Sequence, residues 1–324
     1  SVQRLHGRRA RGANYLGQRN RHGELPAPQF AASILQEVFQ KLVIHHRLPH
    51  EEESRVLIVN DSVPIQYWDL VPNFGDLLAP WLVTQITGRP TVSIKTSNQP
   101  HYVLVGSILD RVKDQSIVWG TGSFGVETTA NTKARYLAVR GPLTRNRIRT
   151  AKGHCPPIYG DPGLLCPIFY KPNVAKRYEV GIVARHSETD LKKSISGKSI
   201  KLIDLKTNEV EKTIDEICSC KRIITSSLHG LIIADAYGIP NAWLDSDSPM
   251  GLNFKYWDYL ISVDKIRQPQ NFNFNQSNVD EQQLVEKMIF DDRALKINLD
   301  AFLDSNPFEW TPSESDRSIL PLRN

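Results

Sequence analysis

The chain has 324 residues, of which 40% are hydrophobic, so it can bury a sizeable core and is long enough for two domains of about 150 residues each. It contains no apolar run near the roughly 18 residues of a membrane span and no visible secretory signal. Four cysteines in a chain of this length do not form a disulfide framework. These features predict a cytoplasmic protein with reduced, structural thiols.

The net charge of +5 is unevenly distributed, and residues 1–28 are predicted to form a basic arm outside the folded domains. The arm has few large apolar residues, and up to His22 it has no acidic residue. It could touch an anionic surface, which would place the protein at the inner face of the plasma membrane, or it could be a solvated tail. No nucleic-acid-binding motif accompanies it, so no nucleic-acid partner is expected. Its arginines are Arg4, Arg8, Arg9, Arg11, Arg19 and Arg21.

Short apolar strands alternate with helices over residues 29–170. An amphipathic helix is predicted over 29–48, and a second helix follows Asn73 and runs to residue 87. A third helix is expected after Pro142. The predicted strands of this half cover 56–59, 102–105, 117–119 and 136–139.

The same alternation continues over residues 171–304. Helices are predicted at 208–218 and from Ser227 to residue 238, one or two closing helices at 280–304, and a polar tail at 305–324. The alternation predicts an α/β fold in which two doubly wound, Rossmann-like domains with mostly parallel sheets face each other across a cleft. The predicted strands of this half cover 178–184, 200–205, 222–226 and 241–244.

The strongest local signal for a site is the segment 225–230, Thr-Ser-Ser-Leu-His-Gly. A strand ends in hydroxyl groups where a helix begins, so free N–H groups and the positive end of the helix dipole suit a phosphate or carboxylate. Ser226 and Ser227 add hydroxyl donors, Gly230 permits close approach, and His229 can add a charge or a proton. In the alternative interpretation, Ser227 is an ordinary N-cap and His229 a packed residue.

Four weaker signals also follow strand ends. Asn73, Gly75 and Asp76 stand at a helix start, where they could equally be a helix cap. Arg140 and Arg185 could bind an anion through their guanidinium forks or form structural ion pairs. Two further signals are the glycine turn of Trp119, Gly120 and Gly122, and the turn that contains Asp161. No residue pattern indicates a metal site.

Taken in order, these motifs resemble the polysaccharide pyruvyltransferases, in particular the ketal-forming enzymes of succinoglycan and xanthan biosynthesis. The motifs are Asn-Phe-Gly-Asp at 73–76, Trp-Gly-Thr-Gly at 119–122, Val-Arg-Gly-Pro at 139–142, Gly-Asp-Pro at 160–162 and Ser-Ser-Leu-His-Gly at 226–230. The resemblance spans about residues 56–244. One departure is Ser227, because many members have arginine at that position.

The resemblance implies a GT-B-like arrangement, phosphoenolpyruvate as co-substrate without a required cofactor, and a saccharide or lipid-linked oligosaccharide as acceptor. The product would be a pyruvate ketal bridging O4 and O6 of a hexose in an exopolysaccharide. The domain 29–170 would hold the acceptor and 171–304 the donor. We expect His229 and Asp76 to be the catalytic acid and base, in an order that the sequence leaves open. Donor binding is assigned to Arg140, Arg185, Ser226, Ser227, Leu228 and Gly230, and the acceptor or cleft to Asn73, Gly75, Trp119, Gly120, Gly122 and Asp161.

Two other functions fit parts of the sequence. A sugar-nucleotide glycosyltransferase of the GT-B type would have the same two facing domains, but no acidic ribose-binding residue is evident near the C-terminal cleft. A non-catalytic module that binds anionic saccharide or lipid-linked polymer would suit the basic arm.

Overall fold

The computed structural model describes residues 56–95, 98–184, 195–245, 253–274, 276 and 278–320. The described residues belong to one compact unit, Ser54–Asn324. The predicted basic arm (1–28), the predicted helix at 29–48 and Arg185 lie outside the described residues. Within the described part, none of the helices has the length and apolar character needed to cross a membrane.

Five parallel strands from the first half of the chain form one sheet. They are β1 (Val63–Gln66), β2 (Thr91–Ser93), β3 (His101–Val103), β4 (Ser116–Trp119) and β5 (Arg135–Ala138), in the order β2-β1-β3-β4-β5. Three α-helices of the described residues accompany this half, namely α1 (Phe74–Thr87), α2 (Pro142–Thr150) and α3 (Cys166–Phe169).

The prediction of a strand at 56–59 is wrong, because the first strand of the sheet begins at Val63. Val59 and Ser62 exchange two backbone hydrogen bonds of 2.8 and 3.0 Å across a tight turn. Asn60 and Asp61 at the centre of the turn have positive φ values of 47° and 60°, a conformation that Asn and Asp tolerate better than most residues. Beyond the turn, Val63 and Ile65 are completely buried.

Four parallel strands from the second half form another sheet. They are β6 (Tyr178–Ala184), β7 (Ile200–Asp204), β8 (Cys220–Thr225) and β9 (Asn241–Trp243), in the order β7-β6-β8-β9. Helix α4 (Val210–Cys218) precedes β8, and α5 (Leu228–Ala236) connects β8 to β9. The buried centre of this sheet is apolar, as expected of a parallel sheet, and consists of Val180, Ile182 and Val183 of β6 with Ile223 and Ile224 of β8. Apart from the strand at 56–59, the predicted strands are confirmed with small differences at their ends.

The C-terminal part packs back onto the first sheet. After α6 (Phe254–Ser262) come α7 (Glu281–Lys287) and α8 (Leu299–Asp304), which confirm the predicted closing helices. The indole of Trp119 stacks on Phe302 with ring centroids 4.7 Å apart. The stretch predicted as a polar tail differs from that expectation, since it contains α9 (Glu314–Ile319) and buries Phe308 against Tyr102. The chain is thus a mixed α/β protein with two parallel sheets, and the GT-B-like arrangement and domain boundaries stay predictions.

Candidate active site

A cavity of about 1300 Å³ lies at the carboxyl ends of strands from both sheets. Its walls include the starts of α1 and α5, the loops that follow β3 and β4, and the first half of α6. Parallel α/β sheets place loops and helix N-termini at this edge, where ligands commonly bind. Among the sequence-predicted site residues, the cavity is lined by Asn73, Asp76, Ser227, Leu228 and His229.

Asp76 stands in the first turn of α1, where Asn73 holds it. Asn73 caps the helix by accepting a hydrogen bond from Gly75 N at 3.3 Å, and its Nδ2 donates to Asp76 Oδ2 at 2.8 Å. Burial raises the pKa of Asp76 to about 6, although the hydrogen bond from Asn73 and the positive charges of Lys255 and Arg111 oppose that rise. The carboxyl group can therefore hold or release a proton near neutral pH.

The start of α5 is an open helix N-terminus beside the end of β8. Ser227 occupies the N-cap position in an extended conformation, but its side chain makes no capping hydrogen bond. The first N–H groups of a helix have no acceptor within the helix, so those at the start of α5 can donate to a ligand. Gly230 is needed for packing, since a Cβ there would lie 3.0 Å from Thr225 Cβ. Ser226 is completely buried, and its carbonyl accepts a 2.5 Å hydrogen bond from Tyr256.

His229 follows Ser227 by two residues and lies against the backbone of α1. A Cβ on Gly75 would overlap Nδ1 of the imidazole and lie 2.7 Å from its Cγ. Nε2 is buried and has no hydrogen-bond partner among the described residues. Burial, together with the positive charges of Arg140 and Lys255, lowers the pKa of His229 to about 3, so the ring is neutral at pH 7.

Arg140, which was predicted to bind the donor, is completely buried and does not line the cavity. Its guanidinium donates to Asp258 Oδ2 at 3.2 Å, to Ser107 Oγ at 2.8 Å and to the carbonyl of Ser123 at 2.8 Å. These contacts join the first half of the chain to α6 and hold Ser107 at the cavity wall. The contacts are those of a buried ion pair, and contact of Arg140 with the donor stays a prediction.

The four residues predicted for the acceptor or cleft in the two turns do not line the cavity. Gly120 has a φ of 99° and packs against Pro162, while Gly122 packs against the guanidinium of Arg140. Asp161 accepts a hydrogen bond from Gly163 N at 2.9 Å, and its other carboxylate oxygen is buried without a partner among the described residues. Burial raises the pKa of Asp161 to about 6. The two turns therefore contribute packing contacts, such as the stacking of Trp119 on Phe302, and not cavity-lining side chains.

Several residues that line the cavity were not predicted. Arg111 lies over the ring of Trp68, 4.2 Å from its centroid, and Lys255 lies 5.0 Å from the ring centroid of Phe124. Lys255 had a faint signal, as the lone cation in a mostly aromatic and apolar helix. Arg111 lies in the connection between β3 and β4, four residues after Ser107. Among the described residues, no group of three or more His, Cys, Asp or Glu is placed to hold a metal ion.

Comparison with known proteins identifies the family. The family model described as polysaccharide pyruvyl transferase matches residues 32–248. The chain belongs to the polysaccharide pyruvyl transferase family. The chain is also similar to "Uncharacterized protein L143" of Acanthamoeba polyphaga mimivirus, with 28% identity over 211 residues that cover 61% of this chain and 74% of that protein. No solved structure matches the chain.

The family match confirms the resemblance seen in the sequence and indicates a pyruvyl transferase that acts on a saccharide acceptor. Asp76 and His229 lie inside the matched range, as do both sheets. Lys255 and Trp257, which line the same cavity, lie beyond its last residue.

Proposed function

We propose that the protein transfers the pyruvyl group of phosphoenolpyruvate to a hexose of an exopolysaccharide or its lipid-linked precursor, forming a 4,6-type pyruvate ketal. One observation carries the proposal. Asp76 and His229, which come from the starts of two helices 153 residues apart in the sequence, line one cavity, and the imidazole lies against the residue that precedes Asp76. A carboxyl with a pKa of about 6 and a neutral imidazole are the acid and base that ketal formation requires.

The donor binds with one anionic group at the start of α5. Phosphoenolpyruvate carries a carboxylate and a phosphate, and both favour fixed N–H and hydroxyl donors. The first turn of α5 supplies N–H groups, and Ser227 supplies a hydroxyl at the cavity wall. In this placement, the donor lies between His229 and the carboxyl of Asp76.

The pKa values support one assignment of the two catalytic roles. A proton shared by Asp76 and His229 resides on Asp76, because its pKa of about 6 is higher than the pKa of about 3 of His229. An anionic donor raises both pKa values, since negative charge disfavours a carboxylate and favours an imidazolium. We therefore assign Asp76 as the acid toward the methylene carbon and His229 as the base toward the acceptor hydroxyl.

The reaction then proceeds in balanced steps. The π electrons of the donor take the proton of Asp76 to form the methyl group, which leaves positive charge at C2. One acceptor hydroxyl bonds to C2 and gives its proton to His229. Phosphate leaves with the C2–O electron pair and takes the proton from His229. The second hydroxyl bonds to C2 and returns a proton to Asp76, which restores the enzyme.

The size and walls of the cavity support a saccharide acceptor in the same space. A volume of about 1300 Å³ exceeds the roughly 300–1000 Å³ of typical small-molecule pockets, so a donor as small as phosphoenolpyruvate leaves most of it for a second ligand. Trp68, Phe124 and Trp257 offer aromatic surface for a sugar ring, while Asp110 and Glu127 offer carboxylates for its hydroxyl groups.

Ligand-dependent thermal stability tests the donor. Phosphoenolpyruvate is expected to raise Tm more than a uridine diphosphate sugar at the same concentration, since a ligand that binds only the folded state stabilises it, by about 2.7 kcal/mol at 100 times Kd. A larger shift with the nucleotide sugar would favour a glycosyltransferase instead. Binding of phosphoenolpyruvate without any turnover on saccharide acceptors would favour a non-catalytic binding module.

A further inference from the structure

Lys255 lines the same cavity as Asp76, Ser227 and His229. Of the cavity-lining residues that the structure describes, Lys255 and Arg111 carry the positive charges. Lys255 is the second residue of α6, a helix that follows the second sheet. Its position in the cavity is therefore set by how α6 docks on the rest of the protein.

The docking of α6 depends on Asp258, one helical turn after Lys255. The buried carboxylate of Asp258 accepts hydrogen bonds from Thr144 N at 2.9 Å, from Thr144 Oγ1 at 2.6 Å and from Arg140 Nε at 3.2 Å. Helix α2 begins after Gly141, which has no side chain to cap it, so Asp258 caps the first turn of α2 from another helix. This buried anchor fixes the turn of α6 that presents Lys255.

The surroundings of Lys255 place its ammonium group near both proposed catalytic residues. Nζ lies 5.0 Å from the ring centroid of Phe124 and 5.3 Å from that of Tyr256, so aromatic faces flank it. Its positive charge lowers the pKa of Asp76 and the pKa of His229, whereas the charge of Arg111 lowers that of Asp76. Arg111 lies over the ring of Trp68, 4.2 Å from its centroid.

We propose that Lys255 is the cationic ligand of the donor, binding its phosphate or carboxylate opposite the start of α5. This inference rests on the proposed function. The hydroxyl of Ser227 carries no charge, and the guanidinium of Arg140 is enclosed by Asp258, Ser107 and Ser123, so neither offers an exposed positive charge to the donor. Lys255 brings an ammonium group on a flexible stem to the cavity wall, and that group is a compact point charge with three donors.

The test is to titrate the purified full chain with phosphoenolpyruvate, inorganic phosphate and pyruvate by calorimetry. Lys255→Met removes the charge and keeps the length of the side chain, and Lys255→Arg restores a charge. Lys133→Met is the matched control, because Lys133 pairs with Asp114 on the surface and does not line the cavity. Circular dichroism and Tm report whether each variant folds.

We expect Lys255→Met to weaken phosphoenolpyruvate binding about 10- to 100-fold, as for loss of a hydrogen bond to a charged group, with Tm close to that of the wild type. Lys255→Arg should recover part of the affinity, and Lys133→Met should bind like the wild type. Weaker binding of inorganic phosphate or of pyruvate identifies which anionic group Lys255 contacts. If Lys255→Met does not fold, the affinities of Lys255→Arg and Lys255→Gln for phosphoenolpyruvate are compared instead, because these two variants also differ in charge.

Unchanged affinity of folded Lys255→Met or Lys255→Gln for every anion that the wild type binds would overturn the inference and leave the proposed function standing. If the wild type binds inorganic phosphate but not phosphoenolpyruvate, the donor assignment fails. The inference would then be decided by whether phosphate binding depends on Lys255. A wild type that binds none of the three anions would overturn both.

Discussion

The imidazole of His229 lies directly on the backbone of Gly75. A Cβ at residue 75 would overlap Nδ1 and would lie 2.8 Å from Cε1, closer than real Cβ atoms approach other heavy atoms. Gly75 is therefore required at this position for close packing and not for an unusual backbone conformation. The contact joins the start of α1 to the start of α5, and it is the structural reason that the two proposed catalytic residues share one cavity.

This contact predicts the effect of Gly75→Ala. Alanine is favoured over glycine in a helix by about 1 kcal/mol, so without a clash the change would stabilise the protein. We expect it instead to lower the free energy of unfolding by about 1–3 kcal/mol, as overpacking does, and to displace His229 and reduce turnover. Urea denaturation and steady-state kinetics measure both effects.

The double variant Gly75→Ala/His229→Ala serves as the control. Removing the imidazole makes room for the new methyl group, so the double variant should be more stable than the sum of the two single changes predicts. Strict additivity, or a Gly75→Ala protein more stable than the wild type, would contradict the packing that we describe.

Substitution of the two catalytic residues tests their shared step. His229→Ala and Asp76→Asn should each reduce turnover by about 10²–10⁴-fold with the fold intact, because general acid–base catalysis contributes on that order. The double variant should lose far less than the product of the single losses, since both groups act on one reaction. The matched controls are His154→Ala and Asp292→Asn, whose side chains are exposed and do not line the cavity.

Wild-type turnover in a well-folded His229→Ala protein would show that His229 is a packing residue. A lowered Tm with normal turnover of the protein that remains folded would lead to the same conclusion.

The difference in stability between Asp76→Asn and the wild type is expected to depend on pH. Burial raises the pKa of Asp76 from 3.8 to about 6, so in the folded state the carboxyl holds its proton more tightly than in the unfolded chain. Above pH 6 the buried carboxylate costs stability, and that cost disappears as the pH falls from 6 toward 3.8. Asp76→Asn should therefore raise Tm by about 3 °C or more at pH 8 and change it little near pH 4.

Melting curves of wild type and Asp76→Asn across pH 4–8 measure this effect, with Asp292→Asn as the exposed control. A Tm difference that is constant over this range would show that the pKa of Asp76 is not raised by burial.

The buried pair of Arg140 and Asp258 is predicted to stabilise the fold. Arg140→Met leaves the Asp258 carboxylate buried with one partner fewer, and breaking such a pair costs about 3–5 kcal/mol. Urea denaturation should show this loss, whereas Lys296→Met, at an ion pair with Asp264 in which both side chains are largely exposed, should cost about 1 kcal/mol or less. A stable Arg140→Met protein with greatly weakened phosphoenolpyruvate binding would instead support Arg140 as a donor ligand.

Local chemistry was sufficient to predict the parts of the site that lie at helix starts. Asn73 before α1 and Ser227 before α5 are N-cap residues, and each follows a strand in the predicted alternation of strand and helix. Ligands bind at the carboxyl ends of the strands in each sheet, and the sequence predicted that the two sheets face each other across a cleft, so a shared location for Asp76 and His229 could be predicted without coordinates. The cavity that both residues line agrees with that inference.

Contacts between distant parts of the chain could not be predicted in the same way. An arginine past a strand end can face a ligand or an ion pair, and Arg140 meets its partner Asp258 118 residues later. Lys255 has no motif around it, because its place in the cavity depends on that same tertiary contact. The first strand was misplaced because the apolar run at 56–59 precedes a tight turn, while the buried strand contains Pro64, a residue that usually argues against a central strand.

The most direct test of the proposed pyruvyl transfer is to measure phosphate release from phosphoenolpyruvate while following acceptor mass. The acceptors would be a panel of hexosides that carry free O4 and O6 hydroxyls, with matched hexosides blocked at O6 as controls. We predict that phosphate is released only when phosphoenolpyruvate and an unblocked hexoside are both present, and that the hexoside gains one ketal-linked pyruvyl group for each phosphate. Transfer of a sugar from a uridine diphosphate sugar to the same hexosides, with no phosphate released from phosphoenolpyruvate, would contradict the account.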